Sequence, residues 1–131
     1  MNRSTIAKAL SYALICMGIA LIYTSVTYAA GDPAKGKESF NTICATCHGA
    51  DGKGDGPAAA ALDPKPRNLS DAAYVSGLTD DHMFKVIKDG GAANGLSAGM
   101  PAWGSALSDD QIWNVIAYIR NDICKCKHEG N

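Results

Sequence analysis

The pentapeptide Cys44-Ala45-Thr46-Cys47-His48 decides how the rest of this 131-residue chain is read. Its two thiols lie three residues apart, which brings both to one side of a helical turn, and a histidine follows the second thiol directly. Two thiols with this spacing can reach the two vinyl groups of a haem, and the adjacent imidazole can then coordinate the iron. The motif therefore predicts one haem c, attached covalently through Cys44 and Cys47 and ligated by His48.

Two other kinds of site use the same residue types. A dithiol redox pair normally follows a strand in an α/β chain, and no strand-like alternation precedes Cys44. A zinc site could combine Cys44 and Cys47 with Cys124 and Cys126, although the second pair is one residue short of the usual spacing and the arrangement leaves His48 without a role. Haem attachment is favoured over both alternatives.

The N-terminal segment differs from the rest of the chain. Arg3 and Lys8 supply positive charge, residues 9–26 are almost wholly apolar, and small residues suited to a signal peptidase follow. This layout predicts a signal peptide over residues 1–29. The apolar run is also long enough for an uncleaved membrane anchor, which would give the protein contact with the membrane. Either reading places the domain in the periplasm or on the extracytoplasmic face of the membrane.

The charge of the exported domain limits its partners. The chain has 12 basic and 13 acidic residues, and two of the basic residues but none of the acidic ones lie in the leader. The remainder has a net charge of about −3, which argues against a nucleic-acid partner.

Helix caps and apolar periodicity predict an all-α domain, since no useful strand pattern occurs. The predicted helices begin at the caps Asp32, Ser70, Thr79 and Ser108, and they end near Cys47, Ser76, Gly90 and Ile123. Two long loops rich in Gly and Pro separate them, at 49–66 and 92–107. Short helices in about a hundred residues bury little apolar surface, so a large cofactor at the centre is expected to complete the core.

Four residues beyond the motif could supply a second iron ligand, namely His82, Met83, Met100 and His128. His82 and Met83 fall within a predicted helix, where surface and core roles explain them. Met100 instead lies in a loop between Gly99 and Pro101, where the backbone is suited to a close approach and is stiffened. Because a thioether favours reduced iron, Met100 is the predicted ligand opposite His48.

These features together resemble class I cytochrome c over residues 32–123. The resemblance rests on the Cys44-to-His48 motif in the first helix, on Gly99-Met100-Pro101, and on the final amphipathic helix. It implies a small cytochrome c fold of about four helices around one covalently bound haem. It also implies that the first and last helices cross where Gly36 and Phe40 meet the stretch around Tyr118.

The resemblance suggests roles for further residues. Gly56-Pro57 is similar to a pair whose carbonyl accepts the free imidazole hydrogen in the family, which would orient the ligand. Arg67 and Trp103 are candidates for contacts with haem propionates, with ordinary surface or packing roles as the alternative. Cys124 and Cys126, in a polar tail over residues 124–131, lie outside the family pattern; they could pair with each other, pair with a partner or stay free.

The expected function is transfer of single electrons between a redox-protein donor and a redox-protein acceptor, without catalysis on a substrate. Two alternatives remain open. The chain could be a haem-containing subunit or domain of a membrane-bound oxidoreductase, or a haem enzyme whose sixth ligand can be displaced.

Overall fold

The computed structural model describes residues 31–128. The predicted signal peptide or anchor over residues 1–29 lies outside the described residues. Within residues 31–128 the secondary structure is helical and no strand occurs, which confirms the predicted all-α class. The α-helices are α1 (Pro33–Ser39), α2 (Ala45–His48), α3 (Ala72–Ser76), α4 (Asp80–Asp89) and α5 (Asp109–Tyr118).

A π-helical turn, Phe40–Cys44, joins α1 to α2, so the chain is continuously helical from Pro33 to His48. The Asp32 side chain accepts hydrogen bonds from the backbone N–H groups of Ala34 and Lys35, which confirms the predicted cap. The haem motif occupies the last turns of this helix. A π-turn widens the helix locally and is often found at functional sites.

The first and last helices cross as the resemblance implied. Gly36 lies directly against the backbone carbonyl of Asn114, where any side chain would collide. One turn later the Phe40 and Tyr118 rings meet edge to face with centroids 5.4 Å apart. The absence of a Cβ at Gly36 therefore allows α1 and α5 to approach closely, and the aromatic pair fixes their crossing.

Local capping residues set the starts of the other helices. Thr79 caps α4, and Ser108 with Gln111 forms the predicted capping box of α5. The cap of α3 was assigned to the wrong residue, because Asp71 rather than Ser70 accepts the backbone N–H of Tyr74. The Ser70 hydroxyl instead donates to Asn68, so it is engaged in the preceding turn.

One buried cluster holds these helices together. It contains Phe40, Val75, Met83, Ile87, Leu107, Ile112, Val115, Ile116, Tyr118, Ile119 and Cys124. Each large apolar side chain that is fully buried contributes about 1.5–3 kcal/mol to folding. The apolar face of α5 supplies four of these side chains, Ile112, Val115, Ile116 and Tyr118, as its periodicity predicted. A second π-helical turn, Ile119–Ile123, adds Ile119.

None of the helices within residues 31–128 is long and apolar enough to cross a membrane.

Candidate haem-binding site

The four residues predicted to hold the haem line a single cavity of about 450 Å³. Cys44, Cys47 and His48 reach it from the end of the first helix, and Met100 reaches it from the loop after α4. The volume falls within the range of about 300–1,000 Å³ that is typical of sites for small ligands and cofactors.

Apolar side chains form most of the remaining wall. They are Ile43, Leu62, Leu69, Leu78, Met83, Val86, Ile87, Leu96, Trp103 and Ile119. Several of these also pack against the buried cluster, so the cavity opens into the core of the domain. An apolar slot with two thiols, an imidazole and a thioether fits a covalently bound haem, because the ring is apolar and the iron requires axial donors.

His48 is oriented by the backbone of the following loop. Its Nδ1 lies 3.0 Å from the carbonyl oxygen of Arg67, which can only accept a hydrogen bond. Nδ1 therefore carries the hydrogen, and Nε2 retains the lone pair that an iron requires. Burial lowers the pKa of His48, with the bond to Arg67 acting in the opposite direction, so the neutral imidazole is favoured.

The prediction that the carbonyl at Gly56-Pro57 accepts this hydrogen is wrong. The N–H of Gly56 donates to the carbonyl of Cys47 at 3.1 Å, which places the pair against the backbone of α2. Pro57 is exposed and lines a separate, polar depression with Thr46 and Asp55, not the haem cavity. The loop folds back toward His48 only at residues 66–67, where the Arg67 carbonyl reaches the imidazole.

Glycine permits that return. The N–H of Gly54 donates to the carbonyl of His48 at 2.7 Å, and Gly54 adopts a φ of +78°. A Cβ at this position would collide with the carbonyl of Pro66. The sequence suggested a role for the Arg67 side chain only, and its carbonyl carried no signal of its own.

Met100 is held by hydrogen bonds of its own backbone. Its N–H donates to the carbonyl of Ser97 at 3.1 Å, and its carbonyl accepts from the N–H of Gly91 at 2.8 Å. The loop continues with Trp103, whose N–H donates to the carbonyl of Ile87 at the end of α4 at 2.9 Å. These bonds fix the loop to α4 and keep Met100 at the cavity wall.

Arg67 and Trp103 also line the cavity, and Arg67 is exposed while Trp103 is half-buried. The Arg67 guanidinium lies 5.3 Å from the centre of the Tyr74 ring. Its charge is thus held at the rim, where a carboxylate could meet it. His82 and Met83 line the same cavity, which sequence reasoning had not predicted for either of them.

The two alternative readings of the cysteines do not fit the structure. No group of three or more His, Cys, Asp or Glu side chains within residues 31–128 is placed to bind a metal ion, and Cys124 is bonded to Cys126, so the four-cysteine zinc site is wrong. Cys44 and Cys47 are not joined to each other by a disulfide. Burial, reinforced by Cys47, raises the pKa of Cys44 to about 12, which keeps this thiol protonated and disfavours dithiol redox chemistry.

Comparisons with known proteins agree with this geometry. The family described as cytochrome C oxidase, cbb3-type, subunit III matches residues 31–119. The subunit FixP of the cbb3-type cytochrome c oxidase of Azorhizobium caulinodans is 36% identical over 65% of this chain. The chain spans only 25% of the length of that relative and 31% of the related Rhizobium meliloti subunit.

A smaller relative is matched over nearly its whole length. Cytochrome c-554(547) of Halothiobacillus neapolitanus is 34% identical over 69% of this chain and 96% of its own length. Among solved structures, a chain of a reducing HAO-like protein complex of Kuenenia stuttgartiensis superimposes with a TM-score of 0.52. That match has 26% sequence identity and covers 66% of this chain and 41% of the other.

The family match covers more than half of the chain, and the relatives include small cytochromes that it spans almost completely. The cytochrome c family implies covalently attached haem c with its iron, and the thiols, imidazole and thioether at the cavity fit this cofactor. This chain belongs to the class I c-type cytochromes, within the family of cbb3-type cytochrome c oxidase subunit III.

Proposed function

We propose that this protein is a monohaem electron carrier whose iron is ligated by His48 and Met100. The observation that carries the proposal is the convergence of Cys44, Cys47, His48 and Met100 on one apolar cavity. Haem iron supplies a one-electron couple when it is bound there. The protein's own part is to hold two axial donors and to keep water from most of the ring.

The His48 and Met100 pair favours electron transfer over catalysis. His48 is oriented by its bond to the Arg67 carbonyl, and Met100 is oriented by two backbone bonds of its loop. If both residues held the iron, no coordination site would be left for a substrate. Thioether ligation also raises the reduction potential, which suits a carrier that accepts and releases single electrons.

Met83 is one rival for the sixth position, because it lines the same cavity, and His82, half-buried at the start of α4, is another. It is 6% exposed and lies within α4, where it also belongs to the buried cluster. Met100 is half-buried in a loop with defined backbone bonds, and it packs against that cluster without being buried in it. These differences support Met100 as the ligand and Met83 as a wall of the cavity.

Matched variants test this assignment. Met100→Ala should remove the weak long-wavelength absorption of ferric iron bound to methionine sulfur, lower the reduction potential and allow rapid cyanide or carbon monoxide binding. Met83→Leu should preserve all three properties of the native protein. The proposal fails if the native ferric protein lacks that absorption and binds cyanide rapidly, or if only Met83→Leu removes it.

The rim of the cavity is proposed to bind the haem propionates. The Arg67 guanidinium stacks over Tyr74 at the edge of the cavity, and Trp103 lies half-buried at the same cavity. A guanidinium is well matched to a carboxylate, and an indole N–H can donate to one. Pro57, the remaining predicted cofactor contact, lines only the separate depression and is not proposed as one.

The partners are proposed to be a redox-protein donor and acceptor outside the cytoplasm. The leader-like pattern of residues 1–29 supports export, and attachment of haem to the motif accords with an extracytoplasmic site. This chain matches cytochrome c-554(547) over nearly the whole length of that protein, which supports an independent carrier.

A second candidate function is a haem subunit of a membrane-bound oxidase, and the similarity to FixP favours it. The mass of the purified mature protein separates the two. A protein that begins near residue 30 supports a free carrier, whereas retention of residues 1–29 together with co-purifying oxidase subunits supports the second candidate.

A further inference from the structure

The segment from Cys124 to His128 lies beyond the family match, which ends at residue 119, and it packs against the domain. A disulfide joins Cys124 to Cys126, whose Cα atoms are 5.2 Å apart. Cys124 is 6% exposed, whereas Cys126 is half-buried and therefore accessible from solvent. At the end of the segment, Nδ1 of His128 lies 3.0 Å from the carbonyl oxygen of Ser76.

A buried arginine lies beside this disulfide. The Nη1 atom of Arg120 is 3.7 Å from the sulfur of Cys126, and the Arg120 residue is only 8% exposed. The guanidinium is fixed by Asp80 at 2.8 Å and by the carbonyls of Val75 and Leu78. A fixed cation next to a sulfur stabilises the thiolate form of that sulfur.

The residues next to Cys126 in the chain are also cationic. Lys125 and Lys127 flank Cys126 in the chain, and both are exposed. No acidic side chain lies within the segment Cys124 to His128. Positive charge around a thiol favours its ionisation and its reaction with other disulfides and thiols.

The backbone between the cysteines adds a second observation. Lys125 has a φ of +52°, and every other residue with positive φ within residues 31–128 is a glycine. This left-handed conformation is unfavourable for a lysine, and such conformations persist where the surroundings impose them. The disulfide encloses Lys125, so opening it allows the backbone to return to an ordinary conformation.

We propose that Cys124 and Cys126 form a redox-active dithiol/disulfide site that exchanges two electrons with a protein dithiol, separately from the haem. A thiolate of the partner attacks the sulfur of Cys126, the more accessible of the two. A new partner–Cys126 disulfide forms, the Cys124–Cys126 bond breaks, and Cys124 leaves as a thiolate that takes up a proton from water.

The second step completes the exchange. The partner's other thiolate attacks the partner's sulfur in the mixed disulfide, which breaks the bond to Cys126. Cys126 leaves as a thiolate beside Arg120, and the partner departs with a disulfide. The partner dithiol is thereby oxidised and the disulfide of this chain is reduced.

The test uses the full haem-loaded protein with dithiothreitol as the dithiol. After treatment of the folded protein, alkylation and mass spectrometry should find two alkyl groups, both on Cys124 and Cys126. The absorption spectrum of the ferrous haem, compared before and after the treatment, should be unchanged, because dithiothreitol also reduces ferric haem. Removal of dithiothreitol in air should restore the disulfide. Failure of dithiothreitol to reduce the folded protein, or isolation of both cysteines as stable free thiols in air, would overturn the proposal.

Lys125→Gly tests the role of the backbone without touching either sulfur. Glycine accepts the positive φ, so the disulfide should become harder to reduce, with a shift of roughly tenfold in the equilibrium with dithiothreitol. Lys127→Gly removes the same charge outside the ring and should leave that equilibrium unshifted. Equal shifts in the two variants would contradict the inference.

Arg120→Gln tests the role of the cation, with Arg120→Lys as the conservative variant. The rate of alkylation of reduced Cys126 at neutral pH should fall in Arg120→Gln and be largely retained in Arg120→Lys, provided that each variant keeps the native haem spectrum. Unchanged alkylation in a folded Arg120→Gln protein would count against the proposal. If that variant does not fold, the dithiothreitol and Lys125→Gly measurements still decide.

Discussion

Nδ1 of His48 donates a hydrogen bond to the carbonyl oxygen of Arg67 across 3.0 Å, although the two residues are 19 positions apart in the chain. This contact joins the haem motif to the far end of the loop over residues 49–66. It determines which nitrogen of the imidazole faces the cavity, and it increases the basicity of that nitrogen toward iron. The path of the loop therefore tunes the proposed iron ligand.

Gly54→Ala should raise the reduction potential of the haem. The new Cβ would collide with the carbonyl of Pro66 and displace the segment that carries the Arg67 carbonyl. A hydrogen bond worth about 1 kcal/mol in favour of the ferric state corresponds to roughly 40 mV for one electron. Redox titration followed by absorption measures the shift. Pro57→Ala, which alters the same loop away from the cavity, should leave the potential unchanged.

Gly36→Ala should lower the free energy of unfolding by about 1–3 kcal/mol, because the added methyl group must separate α1 from the Asn114 carbonyl. Denaturant titration of the haem protein measures this effect. Gly77→Ala is the matched control, since a Cβ there makes only an ordinary contact of 3.4 Å with the Tyr74 carbonyl. Similar losses in both variants would show that the helix crossing is not the cause.

Arg120→Leu should cost about 3 kcal/mol of stability. The change leaves the carbonyls of Val75 and Leu78 without their donors and removes the ion pair with Asp80. Thermal and denaturant unfolding report the loss. Lys88→Ala removes the more exposed ion pair with Asp109 and should cost less than about 1 kcal/mol. A loss in Arg120→Leu no larger than that in Lys88→Ala would rule out this account.

The protein should lose stability as the pH falls below 6.5, the ordinary pKa of histidine. Burial lowers the pKa of His48 in the folded state, and iron held at Nε2 would exclude the proton as well. The unfolded chain therefore binds a proton more readily, and unfolding is favoured on acidification. Above pH 6.5 the contribution of neutral His48 to the free energy of unfolding is fully present. Denaturant titrations at pH 7.5 and 5.5 measure it, and a variant with His82→Gln and His128→Gln should retain the dependence. If the pH dependence disappeared in that variant, His82 or His128 and not His48 would be its source.

The helices and their order could be read from local patterns. Asp32, Thr79 and Ser108 each cap a helix through bonds to backbone groups two or three residues away, so the information lies within one turn. The apolar periodicity of α5 likewise predicts its buried face. The cap of α3 shows the limit of prediction from local patterns, because Ser70 and Asp71 are both residue types that favour a cap. Only the structure shows that Ser70 bonds to Asn68, which leaves Asp71 to cap the helix.

The sequence by itself determined the cofactor, because Cys44, Cys47 and His48 carry the chemistry of attachment within five consecutive residues. It also determined the all-α class, because helix caps and apolar periodicity are local patterns. Tertiary structure alone decided that the carbonyl of Arg67, rather than one at Gly56-Pro57, meets the imidazole. Every residue offers the same carbonyl, so its use depends on the course of the whole loop and not on residue type. The placement of Met83 at the cavity was decided in the same way, by packing between distant parts of the chain. The bond between Cys124 and Cys126 is local, but the sequence left three fates of these thiols open and the structure shows which one occurs.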